Sequence, residues 1–188
     1  MIAEPYPRSN RHLINKIRLI EGDLTQQGDV DVIVGAIPST LKVGGSLNQA
    51  LIAAAGAQLD EFIVENIYKP RAGDVFEVPP FNLPAPHVFF AVTPDWKIVL
   101  EREDRDLVRC YRAAMQMAEN RGLKKIAFPA LGTGKRQYPV RRAARLAIQG
   151  IMDRMTDHFD EVRIICNRRD QYDAFAGWLK HYGHDAFL

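Results

Sequence analysis

The sequence predicts an α/β domain with helices on both faces of one sheet. Three observations predict it. Short apolar runs rich in β-branched and aromatic residues occur at 31–34, 87–92, 125–130 and 161–166. They are too continuously apolar for strands with one wet face, so both faces must be covered. Stretches with helical apolar spacing alternate with them, as in layered α/β folds. Finally, 188 residues, 47% apolar and 26% charged, suit one soluble domain with an adequate core.

Residues 1–15 hold two prolines and no periodicity, which predicts an irregular N-terminal arm ahead of a single domain over 16–188. Ile17–Ile20 alternates into the turn Glu21-Gly22-Asp23 and reads as a strand. Asp31–Val34 is a buried strand, expected to end at Gly35 through Ser39 because Pro38 forbids a continuing ladder. Leu47, Ala50, Leu51, Ala54 and Ala55 recur at helical spacing, closed by Gly56. Leu59, Phe62, Ile63 and Asn66 suggest a second short helix. Residues 74–78 form a strand stopped by Pro79 and Pro80, and 87–92 form another. A helix is predicted over 104–121, with Leu107, Cys110, Tyr111 and Ala114 on one face and Gly122 as its cap. Residues 125–130 are a strand. Pro139 suits the first turn of the helix that carries Val140, Ala143, Ala144, Ala147, Ile148, Ile151 and Met155 inward. Glu161–Cys166 is the last strand, and Tyr172, Phe175, Trp178 and Leu179 line a final helix.

The charge balance, 25 Lys+Arg against 23 Asp+Glu, gives a net +2. That is too small to imply a nucleic acid or membrane as main partner, and the acidic run from Glu101 to Asp106 interrupts the basic clusters at Lys124-Lys125, Arg141-Arg142 and Arg168-Arg169. No apolar run is long enough to span a membrane. The first dozen residues lack the apolar segment of a secretory signal, so a cytoplasmic location is expected. Cys110 and Cys166 sit in apolar patterns and read as buried hydrophobes, not nucleophiles. The five histidines show no metal-ligand spacing, and no metal or cofactor is expected. His181 and His184 read as part of a frayed tail.

In such sheets ligands gather at loops that leave the carboxyl ends of strands. Three candidate loops do so: Gly22-Asp23-Leu24, then Gly35 through Leu47, then Gly132 through Tyr138. The last two each lead toward a helix start. Glycines let a backbone approach an anion closely, and helix N-termini offer outward N–H groups. Neither loop has the spacing of a Walker or dinucleotide fingerprint.

The order of these segments is the most specific signal. Gly22-Asp23-Leu24-Thr25, Val30 through Val34, the stretch Ser39 to Gly56, Asn82 through Ala85, Cys110-Tyr111 and above all Ile126 through Gly134 followed by Tyr138-Pro139 together resemble a macrodomain, the ADP-ribose-binding module. The resemblance covers roughly residues 17–178. It implies a three-layer α/β/α sandwich with a mixed, mostly parallel sheet. It implies that Asp23 accepts a hydrogen bond from the adenine amino group, with Leu24 against the same base. It places Gly44, Gly45, Ser46 and Leu47 in a first phosphate and ribose loop. It places Gly132, Thr133 and Gly134 in a second, Gly132 where the family commonly has Ser. Asp23 has a plainer role open to it as well, since aspartate caps short helices.

The departures from the family pattern bear on chemistry. Its usual Asn-Ala-Ala-Asn run is Gly35-Ala36-Ile37-Pro38 here, and an Asp assigned to water activation in one branch is Asn48. An amide cannot take a proton as a general base near neutral pH. Lys135 and Arg136 replace an apolar residue and an aromatic, and Arg136 could pair with a phosphate. Asn167 stands where an aromatic often packs on adenine, with Arg168 beside it. The expected function is binding of ADP-ribose or a related nucleotide, free or on a modified protein partner. Two alternatives are hydrolysis of an ADP-ribosyl or phosphate ester by a rearranged site, and an interaction scaffold that has lost the nucleotide.

Overall fold

The computed structural model describes residues 10–42, 44–96 and 101–188. Among the described residues, six strands form one sheet in the order β1-β6-β5-β2-β4-β3. They are β1 (Ile17–Glu21), β2 (Val32–Ile37), β3 (Val75–Val78), β4 (His87–Val92), β5 (Lys125–Pro129) and β6 (Glu161–Cys166). Every pairing is parallel except that of β3, which runs antiparallel to β4 at one edge. The sheet is therefore mixed and mostly parallel, as expected.

Strand residues alternate between two cores, as the period of two demands. Val34, Phe89, Phe128 and Ile164 face α4 (Glu101–Asn120), α5 (Val140–Met152) and α6 (Arg169–His181). Ile33, Val88, Phe90 and Ile165 face α2 (Ser46–Ala55) and α3 (Gln58–Asn66). This is a three-layer α/β/α sandwich. Cys110 and Cys166 are fully buried, and burial pushes each thiol up to about 12, so both behave as apolar filler.

Four expectations are corrected. Residues 1–9 lie outside the described residues, but Arg11–Ile14 is a short helix, α1, not an irregular arm, because Ile14 is buried in the main core. β2 does not stop at Gly35 but continues to Ile37, with Gly35 in register with Phe90. A Cβ on Gly35 would lie 2.8 Å from the Phe90 ring and 2.9 Å from Leu51, so this glycine makes room for a ring and a helix. α4 includes Glu101–Glu103 ahead of the expected start, where its acidic residues suit a helix N-terminus. The C-terminal tail is docked, not frayed. His184 is buried, its ring Nε2 lies 2.8 Å from Ile17 O, and Asn15 donates to Asp185 at 2.7 Å.

Candidate functional site

A cleft of about 550 Å³ opens at the carboxyl ends of the parallel strands. It is lined by the turn after β1, the end of β2 and the loop into α2, the loop after β5, and the start of α6. All twelve residues singled out from the sequence line it: Asp23, Leu24, Gly44, Gly45, Ser46, Leu47, Gly132, Thr133, Gly134, Lys135, Arg136 and Asn167. A second hollow of about 440 Å³ lies beside β3 near Tyr68 and Arg109. It holds no comparable set of glycine amides.

The first loop ends in Gly45, the N-cap of α2, at φ 97°. That left-handed conformation is open to glycine at little cost. The first α-helical bond of α2 runs from Gln49 N to Gly45 O at 3.1 Å, so the amides of Ser46, Leu47 and Asn48 have no intrahelical acceptor. In the second loop, Tyr138 N and Gln137 N donate to Gly132 O and Gly134 O at 2.9 and 3.0 Å. Among the described residues, the amides of Gly132, Gly134 and Lys135 have no such partner. Two sets of unspent N–H donors thus border one cleft.

The helix start that meets the second loop is not the expected one. No residue of α5 lines the cleft. Tyr138 turns inward and packs on Trp96 with ring centroids 5.0 Å apart. The start of α6 lines the cleft instead, through Arg168 and Gln171. Gln171 is a residue that the sequence reading missed. It is buried, accepts from Asn167 N at 3.1 Å and donates to Thr133 Oγ1 at 2.9 Å. Thr133 Oγ1 in turn donates to Ala130 O at 2.7 Å. Arg168 Nη1 donates to Thr133 O at 3.2 Å, while its Nε and Nη2 grip Asp170. That hydrogen bond from Arg168 holds the Asp170 carboxyl below its usual range. The Thr133 side chain is therefore spent on shaping the loop, and Arg168 is a tie between loop and helix.

Asp23 fills its capping role. Its Oδ1 accepts from Thr25 N at 2.8 Å and from Thr25 Oγ1 at 2.7 Å. Oδ2 has no partner among the described residues and lies on an exposed side chain. The turn that carries Asp23 is held from behind by Arg163, a nearly buried guanidinium on β6. Arg163 donates to Gln27 at 2.7 Å, to Asp29 at 2.8 Å and to Glu161 at 2.9 Å. The hydrogen bond from Arg163 keeps the Asp29 carboxyl below its usual value.

Two departures from the expected pattern now have geometry. Arg136 is tied to the cleft wall through one of its five N–H donors: its Nη1 donates to Asp95 at 2.5 Å, and Trp96 N donates to Arg136 O at 2.8 Å. Asn48 is 7% exposed on the cleft side of α2. Its Nδ2 reaches Gly44 O only at 3.5 Å, and its Oδ1 is buried with no hydrogen-bond partner among the described residues.

A family model, the Macro domain, matches residues 34–147. The chain belongs to the macrodomain family. A macro domain-containing protein of Xanthomonas campestris is 36% identical over 149 residues, which is 76% of this macrodomain and 82% of that protein. The solved macrodomain of Oceanobacillus iheyensis with ADP superposes with a TM-score of 0.79 at 26% identity, over 87% of this chain and 89% of that one. A Trypanosoma brucei macrodomain in complex with ADP-ribose gives 0.73 at 25% identity, over 85% and 67%. No helix among the described residues of this macrodomain is long and apolar enough to cross a membrane.

Proposed function

We propose that this macrodomain binds ADP-ribose or a closely related adenine nucleotide, free or attached to a modified protein. The observation that carries the reading is the convergence of two sets of unspent backbone amides on one cleft that also holds a carboxylate. Backbone N–H groups at a helix N-terminus suit a diphosphate. A carboxylate only accepts, so Asp23 selects a base edge that carries an amino group. Its Oδ1 is taken by Thr25, which leaves Oδ2 for that contact. Solved relatives with ADP and with ADP-ribose support the ligand class.

The unpaired Oδ1 of Asn48 belongs to the same reading. A buried acceptor without a donor costs about 1–3 kcal/mol, and a turn of the side chain that brings this oxygen to the cleft would let a ligand hydroxyl supply the donor. Hydrolysis has less support. Pro38 is buried at the end of β2 and offers neither a side-chain donor nor an N–H. Asn48 cannot serve as a base. Calorimetric titration with ADP-ribose tests the proposal. Saturable binding in the micromolar range, about −8 kcal/mol, without release of ADP-ribose from a modified protein is the expected result. Heat changes no larger than dilution would turn the reading to a scaffold, and release of ADP-ribose would turn it to an enzyme.

A further inference from the structure

Four charged residues line the cleft: Asp23, Lys135, Arg136 and Arg168. Arg136 is matched by Asp95 and Arg168 by Asp170. Lys135 has no ion pair among the described residues, so it is the one unmatched cation of the cleft lining.

Its side chain does not trail into solvent. It crosses from the second loop to the first and lies along the two glycines there. A Cβ built on Gly44 would stand 3.1 Å from Lys135 Nζ and 3.8 Å from its Cδ. One built on Gly45 would stand 3.7 Å from its Cγ. The missing side chain at 44 leaves room for the ammonium at this point, while a Cβ at 45 would make only ordinary contact with the lysine stem. Its ammonium is therefore within reach of whatever those amides hold, and Asn48, more than nine-tenths buried with an Oδ1 unpartnered among the described residues, lines the same cleft beside Gly44.

We infer that Lys135 is a charge clamp for this chain's ligand, closing over the diphosphate and making binding depend on phosphate charge. The inference rests on the nucleotide reading above and assigns the electrostatic part of recognition to one residue. Neutral amides supply direction but no net charge. A lysine on a flexible stem adds a full positive charge and can swing aside to admit the ligand. A hydrogen bond to a charged group is stronger than one between neutral groups, so removing the ammonium should cost roughly tenfold or more in affinity.

The test titrates ADP-ribose into wild type, Lys135→Gln, Lys135→Arg and Lys180→Gln. It is run at about 0.01 M and about 1 M salt, where the Debye length is roughly 30 Å and 3 Å. Lys180 sits exposed in the last turn of α6 and controls for loss of one positive charge. The clamp predicts that Lys135→Gln loses about tenfold at low salt and much less at high salt, so that its binding becomes nearly salt-independent. Lys135→Arg should keep most of the affinity, and Lys180→Gln should match wild type. Wild-type affinity and salt dependence in Lys135→Gln would overturn the clamp while leaving the nucleotide reading intact. Tighter binding by Lys135→Gln would also overturn it, by showing that the lysine is a plug. Absence of binding by folded wild type at both salt concentrations would remove the nucleotide reading itself, before any variant is compared.

Discussion

Asn48 shows how a single residue can be costly to the empty protein and useful to the loaded one. It sits in the first turn of α2 with a buried oxygen that nothing among the described residues satisfies. Alanine is the better helix former by several tenths of a kcal/mol and leaves no acceptor orphaned. Asn48→Ala is therefore expected to leave the melting temperature of the free protein unchanged or raise it, while weakening ADP-ribose binding severalfold. Thermal melts with and without ADP-ribose check this. A clear fall in the melting temperature of the free variant would mean that the oxygen is already satisfied. Asp23 behaves differently, because one of its oxygens already caps the turn after β1. Loss of that carboxylate would cost the cap as well as any contact with a base.

Elements in this chain are placed by glycines as much as by apolar patterns. α4 and α5 cross where Gly150 meets Val108 and Tyr111. A Cβ there would lie 2.7 Å from Val108 O and 2.8 Å from Tyr111 Cβ. Helix propensity alone favours alanine over glycine by about 1 kcal/mol. Contact with a neighbouring backbone reverses that sign, since overpacking costs about 1–3 kcal/mol. Gly150→Ala is thus expected to lower stability in chemical denaturation, and a gain would show that the two helices can slide apart. The same effect explains what could be read in advance. β4 and β6 have the expected boundaries, because their apolar runs are long and flanked by turn signals. β2 runs three residues past its β-branched run, because Gly35 makes room for Phe90 inside the strand and the ladder stops only at Pro38. The docking of the tail at His184 is not legible in the sequence, because it depends on Ile17 at the other end of the domain.

At the scale of the whole molecule, a mostly parallel sheet collects the carboxyl ends of its five parallel strands at one rim, and loops distant in sequence become neighbours there. The cleft residues could be named from the sequence because the glycine loops and Asp23 carry a recognisable order. What they do to one another could not. The pairing of Arg136 with Asp95, the bracing of Thr133 by Gln171 and the path of Lys135 across Gly44 all depend on side chains that meet only after the sheet has formed. Gln171 did leave a trace. It lies four residues before Phe175 and eight before Leu179, on the inward stripe of α6, and a polar residue there marks a buried hydrogen-bonding position. The substitutions at Pro38 and Asn48 are legible in the sequence, and among the described residues Asp23 is the one carboxylate of the cleft lining. The measurement that tests the account most directly is a crystal structure of this macrodomain soaked with ADP-ribose. The account predicts the diphosphate within hydrogen-bond distance of amides from both Gly44–Leu47 and Gly132–Lys135, with the adenine amino group on Asp23. A nucleotide bound elsewhere, or held by one loop with Asp23 facing solvent, would contradict it.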